Sequence, residues 1–169
     1  LNELTLTTNG SQLEKYADEL YEYGVRRINV SIDTLKPELF KKLTRRGDLD
    51  KVLRGIDAAQ KAGLKIKVNT VALKDSNEQE LTDILSWAHS KDCDITFIET
   101  MPLGEIDIDR TEQFLPLSKV KENFSKKFTL LDSKYYTGGP SRYFEVSETG
   151  KKVGFITPLT HNFCELCNR

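Results

Sequence analysis

The sequence predicts an α/β fold built on parallel strands, and three observations favour this class. Strand patterns alternate with helix patterns from residue 4 to residue 99. Loops of only a few residues connect them, which requires parallel strands joined by right-handed crossovers. The hydrophobic content of 38%, with 10 glycines besides, is typical of a folded domain and excludes a wholly disordered chain.

The first strand and helix follow from side-chain alternation and turn residues. Residues 4–8 begin by alternating Leu and Thr, and the turn pair Asn9–Gly10 ends this strand. Ser11 is the expected cap of a helix whose apolar residues recur at helical spacing, and Gly24 ends it. The second strand is expected at residues 27–32.

Three more helices and two more strands continue the pattern. Pro37 suits the first turn of a short helix, and Asp48 opens a longer one. A third strand follows at residues 65–71. Ser76 starts the next helix, which leads into a fourth strand at residues 95–99.

The pattern changes after Gly104, which predicts two domains. Residues 1–104 form the alternating α/β portion, and residues 105–169 form a smaller α+β subdomain. In the subdomain we expect one helix and two antiparallel strands, at residues 118–127, 142–146 and 152–156.

Charge and hydropathy exclude several function classes. The 26 acidic residues almost balance the 25 basic ones, which argues against a protein that coats nucleic acid or a membrane surface. No apolar run approaches the roughly 18 residues of a membrane span, and the first residues do not form a signal peptide. We therefore expect a cytoplasmic protein without a nucleic-acid or membrane partner.

Polar side chains interrupt strands that a covered parallel sheet would make apolar. Because side chains alternate at period two, three pairs each share a face: Thr5 with Thr7, Asn29 with Ser31, and Lys67 with Asn69. Such groups near the carboxyl ends of strands predict a ligand site. The alternative is a solvated edge strand or sheet face, but three successive strands cannot all be edges of one open sheet.

Lys67 is the most informative of these residues. An ammonium in a packed α/β interior is costly unless it meets an anion, and a phosphate would serve. The sequence contains no Walker or Rossmann glycine loop, so a phosphate here is held in another way. By contrast, Arg45 and Arg46 are expected to be a solvated cluster at a helix end.

The cysteines fall into two groups. Cys93 stands alone and is expected to be an inert thiol. Cys164 and Cys167 form a Cys-x-x-Cys pair near His161. The sequence stops inside this motif, so we expect it to be a piece of a longer protein. Spacing alone leaves four readings open: an unligated pair, zinc with His161, an iron–sulfur cluster with a further cysteine, or a redox dithiol.

Seven segments, in order and spacing, resemble the MoaA family of radical S-adenosylmethionine enzymes, the GTP 3',8-cyclases of molybdenum cofactor biosynthesis. The resemblance extends over the whole sequence. The segments are residues 6–10, 29–33, 44–47, 67–71, 97–104, 154–157 and 163–169.

This resemblance implies a (βα)6 barrel, here without its first strands, and a subdomain that brings a second [4Fe–4S] cluster to the barrel mouth. In such enzymes a first cluster, held by a CxxxCxxC loop, cleaves S-adenosylmethionine to a 5'-deoxyadenosyl radical. The radical takes the 3' hydrogen of GTP, and the ribose carbon attacks C8 to give 3',8-cyclo-7,8-dihydro-GTP. The implied partners are GTP, a second copy of the chain, and the downstream cyclic pyranopterin monophosphate synthase.

The resemblance also implies roles for individual residues. Thr7 and Lys67 resemble GTP contacts, with Lys67 on the triphosphate. Ser31 and Met101 resemble contacts to the ribose and adenine of S-adenosylmethionine, and Asn69 is a further candidate.

The cysteine pair takes its meaning from the same family. Cys164 and Cys167 resemble two of the three ligands of the second cluster, and Arg169 resembles the first arginine of a basic run on GTP. The CxxxCxxC loop and the third ligand are not in this sequence, so we expect no cyclase activity from this piece alone.

Two departures from the family pattern leave alternatives open. Thr96 stands where the family usually has arginine, and residues 106–108 replace a Gly-Trp-containing stretch. The alternatives are another nucleotide-binding radical enzyme of this superfamily and a nucleotide-binding module without catalysis.

Overall fold

Seven strands form one sheet in the structure, a computed structural model that describes residues 4–101 and 112–160. In chain order the elements are β1 (Leu4–Thr8), α1 (Leu13–Glu22), β2 (Val25–Ser31), α2 (Pro37–Thr44), α3 (Leu49–Lys61), β3 (Lys65–Ala72), a 3-10 turn (Glu78–Glu80), α4 (Leu81–Ser90), β4 (Asp94–Glu99), α5 (Leu117–Ser125), β5 (Leu130–Asp132), β6 (Arg142–Val146) and β7 (Lys151–Ile156).

The order of strands across the sheet is β1-β2-β3-β4-β7-β6-β5. Strands β1 to β4 are parallel neighbours in chain order, which confirms the predicted α/β arrangement. β7 then pairs parallel with β4, and β6 pairs antiparallel with β7, as expected for that pair of strands. β5 was not predicted, because three residues are too few to show an alternating pattern.

The expected domain boundary after residue 104 lies within residues 102–111, outside the described residues. The strands on either side of this segment belong to the same sheet, since β4 pairs directly with β7.

Two helix starts agree with the sequence. Pro37 is the first residue of α2, where its missing N–H removes no hydrogen bond. Asp48 caps α3, and its carboxylate accepts a hydrogen bond from the Lys51 backbone N–H at 3.1 Å. Among the helices of the described residues α3 is the longest, at 13 residues, and none is long and apolar enough to cross a membrane.

Two predicted caps were wrong. Gln12, not Ser11, precedes α1, because the side chain of Asn9 accepts the Ser11 backbone N–H at 3.0 Å and holds Ser11 in the preceding turn. Ser76 does not start α4, which begins at Leu81 after the 3-10 turn. Asn77 precedes that turn, and its side chain bonds to the backbone of Val71 and Leu73 at the end of β3.

The helices cover one face of the sheet and form the core with it. Strand residues Ile28, Val30, Val68 and Ile95 point to this face and are fully buried. An aromatic group continues the core under α5, with ring centroids 5.0 to 6.4 Å apart among Phe97, Phe124, Phe144 and Phe155. The opposite face of the sheet is therefore the one that carries the polar strand residues.

Candidate functional site

The register of the parallel strands assembles the polar residues into two rows on the face away from the helices. Thr7 pairs with Asn29, and Asn29 pairs with Lys67. One step nearer the carboxyl ends, Asn69 lies between Ser31 and Thr96. The prediction that these side chains share one face is confirmed.

Two amide oxygens on this polar face are buried without a hydrogen-bond partner among the described residues. They are Oδ1 of Asn29 and Oδ1 of Asn69. The amide nitrogen of Asn29 is used, because it donates to Thr7 Oγ1 at 3.2 Å. A buried acceptor without a donor costs on the order of 1–3 kcal/mol, so these oxygens suit a bound molecule that carries N–H or O–H groups.

Lys67 meets a phenol rather than a carboxylate. Its Nζ donates to the hydroxyl of Tyr143 at 3.0 Å and lies 5.7 Å from the centre of that ring. The residue opposite Lys67 on β4 is Asp94, but its carboxylate accepts the Lys152 backbone N–H at 2.9 Å. Within the described residues, Lys67 thus has a hydrogen-bond partner and no counter-charge.

Tyr143 was not among the residues singled out in the sequence. It is only 2% exposed, its hydroxyl is 3.1 Å from Thr137 Oγ1, and its ring meets Tyr135 edge-on with centroids 4.9 Å apart. Burial acts to raise the pKa of Tyr143, but the charge of Lys67 and the hydrogen bonds that the phenol makes with Lys67 and Thr137 outweigh it and lower the pKa below its ordinary value. A lowered phenol pKa strengthens the hydroxyl as a hydrogen-bond donor.

The Tyr143 ring lies in space that is free because Gly154 has no side chain. A Cβ at Gly154 would come within 2.8 Å of Tyr143 Cε1, 2.9 Å of Thr96 Oγ1 and 2.3 Å of Ser141 Oγ. Both of those hydroxyls are buried, and that of Thr96 has no hydrogen-bond partner among the described residues. The wall of the polar face beside Lys67 is therefore hydroxyl-rich and closely packed.

Ser31 and Met101 lie at the same edge of the sheet. Ser31 ends β2, Met101 comes two residues after the end of β4, and β3 lies between these two strands. Ser31 is exposed, and Met101 is 43% exposed. Both are open to a ligand at the carboxyl edge, where α/β proteins bind theirs.

A buried hydrogen-bond cluster fixes the loops at this edge. Asp33 Oδ1 accepts the Val71 backbone N–H at 2.8 Å. Asn77 Nδ2 donates to the backbone oxygens of Asp33 and Val71 at 2.6 and 2.8 Å, and its Oδ1 accepts the Leu73 N–H at 2.8 Å. Burial raises the pKa of Asp33 above its ordinary value, although the bond from Val71 opposes the shift. The cluster holds the chain that follows Ser31 against the end of β3.

Glu99 is a second residue that sequence reasoning did not single out. Its carboxylate is 2% exposed and accepts the Leu117 backbone N–H at 3.1 Å, at the start of α5. It also accepts the backbone N–H and the hydroxyl of Thr160. Glu99 therefore joins the end of β4 to the chain that leads toward the cysteine pair.

The predicted metal residues Cys164 and Cys167 lie outside the described residues, as do Arg169 and His161. In residues 4–101 and 112–160, no group of three or more His, Cys, Asp or Glu side chains could hold a metal ion. Cys93 is fully buried, and burial together with the charges of Asp92 and Asp94 raises the pKa of its thiol to about 12. Burial and a raised pKa both support the expectation of an inert thiol.

Two family models match this chain. One, described as the Radical SAM superfamily, matches residues 1–88, and the other, Molybdenum Cofactor Synthesis C, matches residues 93–169. The chain belongs to the Radical SAM superfamily.

Curated relatives are similar along the whole of this chain. The GTP 3',8-cyclase of Rhizobium etli (strain CIAT 652) is 64% identical and that of Brucella ovis is 62% identical, each over 169 residues. Each alignment covers 100% of this chain and 49% of the relative. The chain thus spans about half the length of the curated relatives that it matches.

Solved structures share the fold at low identity. Streptococcus suis SuiB is similar with a TM-score of 0.58 and 18% identity, over 72% of this chain and 28% of that one. Native anSMEcpe with bound AdoMet is similar with a TM-score of 0.57 and 18% identity, over 75% of this chain and 36% of that one. The mixed α/β sheet is thus part of a radical-SAM fold.

Proposed function

We propose that the protein containing this chain is a GTP 3',8-cyclase, which uses S-adenosylmethionine to convert GTP to 3',8-cyclo-7,8-dihydro-GTP in molybdenum cofactor biosynthesis. The observation that carries this proposal is the 62 to 64% identity with proteins of that name along all 169 residues. The Molybdenum Cofactor Synthesis C match over residues 93–169 supports the same pathway.

The described strands are proposed to be one portion of a (βα)6 barrel, with the polar face of the sheet directed toward the barrel interior. Residues 1–104 would supply the barrel portion, and residues 105–169 the subdomain. The placement of helices on one face only supports this proposal, because the second face of an open α/β sheet is normally covered by helices as well.

The polar face fits a nucleoside triphosphate. Lys67 is a half-buried cation without a carboxylate partner among the described residues, which suits it to a phosphate oxygen. Thr7 offers an exposed hydroxyl one strand beyond Asn29. The unpartnered oxygens of Asn29 and Asn69 would accept N–H or O–H groups of a base or ribose. GTP carries both kinds of group.

The carboxyl edge fits S-adenosylmethionine. The exposed hydroxyl of Ser31 can bond to a ribose hydroxyl, and the exposed side chain of Met101 can pack against adenine. When bound, S-adenosylmethionine and a reduced [4Fe–4S] cluster supply the radical chemistry. Ser31 and Met101 orient the nucleoside. The hydrogen bonds made by Asp33 and Asn77 hold the loops at this end of the sheet in place.

The second [4Fe–4S] cluster is proposed to use Cys164 and Cys167, with Arg169 on GTP. Two thiolates are the right kind of ligand for iron–sulfur chemistry but too few for a cluster held by protein. Cys93 is not proposed as the third ligand, because its side chain is fully buried in the hydrophobic core. The remaining ligand is therefore proposed to come from outside these 169 residues.

The biological setting is part of the same proposal. We propose a cytoplasmic location, a homodimer, and a downstream cyclic pyranopterin monophosphate synthase that consumes the product, as the resemblance to this family implies.

The test uses the full-length protein, with its clusters reconstituted without oxygen and supplied with S-adenosylmethionine and dithionite. Products are separated by chromatography and identified by mass. We expect 5'-deoxyadenosine and 3',8-cyclo-7,8-dihydro-GTP in equal amounts when GTP is present, and no cyclised nucleotide from ATP or CTP. Cleavage of S-adenosylmethionine without consumption of GTP would indicate another radical enzyme, and GTP binding without any cleavage would indicate a binding module.

A further inference from the structure

Lys67 and Tyr143 belong to different parts of the chain. Lys67 lies on β3, in the segment that matches the Radical SAM superfamily, and Tyr143 lies on β6, in the segment that matches Molybdenum Cofactor Synthesis C. Two strands, β4 and β7, separate β3 from β6 in the sheet. The 3.0 Å contact between Nζ and the phenol oxygen therefore reaches over both strands.

The two intervening strands, β4 and β7, carry small residues beneath the contact between Lys67 and Tyr143. Thr96 on β4 pairs with Gly154 on β7, and Gly154 pairs with Tyr143 on β6. Because Gly154 has no side chain, the Tyr143 ring can lie close to Thr96 and bring its hydroxyl toward Lys67. A larger residue at position 154 would force the ring away.

The phenol is itself held in place. Its oxygen is 3.1 Å from the hydroxyl of Thr137, its ring meets Tyr135, and its side chain is almost fully buried. A lysine ammonium on a four-carbon stem has many rotamers, and fixing one of them costs conformational entropy. A rigid partner in the unbound protein means that part of this ordering precedes ligand binding.

We propose that Tyr143 is a positioning residue of the substrate site, whose hydroxyl fixes the Lys67 ammonium where the triphosphate of the substrate binds. This inference rests on the proposed GTP 3',8-cyclase function. The residue acts through Lys67, so its effect should depend on the presence of the lysine and on the phosphates of the ligand.

The test compares binding to the full-length, reconstituted protein by calorimetry, with GTP, guanosine, inorganic tripolyphosphate and S-adenosylmethionine as ligands. Tyr143→Phe removes the hydroxyl and keeps the buried ring. Tyr136→Phe is the matched control, because Tyr136 is 64% exposed. Lys67→Ala and the double variant Lys67→Ala/Tyr143→Phe complete a double-mutant cycle.

We expect Tyr143→Phe to weaken the binding of GTP and tripolyphosphate by about three- to tenfold, because the Lys67 ammonium remains but is no longer held in place before the phosphates bind. Its affinities for guanosine and S-adenosylmethionine should stay within about twofold of wild type, as should every affinity of Tyr136→Phe. In the Lys67→Ala background the second change should have no further effect on GTP. Gly154→Ala, which displaces the ring, should reproduce the selective loss of phosphate affinity.

Three results would overturn the inference. They are unchanged GTP affinity in Tyr143→Phe, an equal loss in the presence and absence of Lys67, and a parallel loss of guanosine affinity and thermal stability, which would make Tyr143 a packing residue. A wild-type protein that binds neither GTP nor tripolyphosphate would overturn the proposed function itself.

Discussion

The carboxylate of Glu99 accepts hydrogen bonds from both the backbone N–H and the hydroxyl of Thr160. It also accepts the N–H of Leu117, the first residue of α5. One side chain thus connects β4, a helix, and the last described residue before the cysteine pair. The backbone N–H groups at the amino end of a helix lack partners within the helix, and Glu99 supplies an acceptor for one of them.

Glu99→Gln should destabilise the full-length protein. The amide keeps one acceptor oxygen but turns an NH2 group toward donors that need an acceptor. Hydrogen bonds to charged groups are worth about 1.5–3 kcal/mol, and we expect a loss of that order in the free energy of unfolding. Urea denaturation measures it, with Glu122→Gln on the exposed side of α5 as the control. Equal stability of the two variants would contradict this role of Glu99.

Lys67→Ala should weaken GTP binding to the full-length enzyme by roughly 10- to 150-fold. The reason is the loss of a charge-assisted hydrogen bond to phosphate, worth on the order of 1.5–3 kcal/mol, where about 1.4 kcal/mol is a factor of ten. Cleavage of S-adenosylmethionine without GTP should change little. The control is Lys65→Ala, an exposed lysine two residues earlier on β3. A GTP affinity within about twofold of wild type would remove Lys67 from the site.

Gly154→Ala should destabilise the fold because the new methyl group has no space. It would lie 2.3 Å from Ser141 Oγ and 2.8 Å from Tyr143 Cε1. Overpacking of this kind typically costs about 1–3 kcal/mol. Gly139→Ala is the control, since a Cβ there has no heavy atom within 4 Å. Thermal unfolding should separate the two variants clearly, and similar midpoints would show that the wall around Tyr143 yields easily.

His89 should make stability depend on pH. Its Nδ1 lies 2.7 Å from Thr149 Oγ1 and its Nε2 lies 3.3 Å from the Lys152 carbonyl oxygen. Burial lowers the pKa of His89, although the bond to Lys152 and the charge of Asp94 oppose the shift. The unfolded chain, with a histidine pKa of about 6.5, therefore binds the proton more readily than the folded one.

Stability should accordingly fall as the pH drops through about 6.5 and level off below the pKa of the folded state. Urea midpoints between neutral pH and mildly acidic pH measure the slope. His89→Gln should lower stability at neutral pH but remove most of the dependence in this window. A slope that is the same in both proteins would assign the proton uptake to another group.

Local features of the fold could be predicted from the sequence. Strands β1 to β4 and the starts of α2 and α3 depend on side-chain alternation, Pro37 and Asp48, all of which act over a few residues. The caps at Ser11 and Ser76 were wrong because the side chain of Asn9 holds Ser11 in the preceding turn and a 3-10 turn separates Ser76 from α4. Nearby polar side chains offer alternatives that a pattern of residue types does not rank.

Only the part of the site on strands β1 to β3 could be predicted from the sequence. The row containing Thr7, Asn29 and Lys67 comes from consecutive parallel strands, so period-two alternation was enough to find it. Tyr143 lies 76 residues from Lys67 in sequence, and the two meet only because β7 enters between β4 and β6. No spacing rule predicts where a returning strand inserts, and this kept both Tyr143 and Gly154 out of the predicted site.

The position of β7 also sets the order in which the sheet can be completed during synthesis. The ribosome releases β5 and β6 before β7, yet neither can join β4 until β7 fills the place between them. Until residue 156 has emerged, β4 is an unpaired edge strand beside the polar residues of β3, and Lys67 lacks its contact with the Tyr143 hydroxyl. Pairing over such separations is slow, and an unpaired edge invites association with other chains. A nascent chain that stalls between β4 and β7 would therefore expose β4, a strand that lies in the middle of the completed sheet.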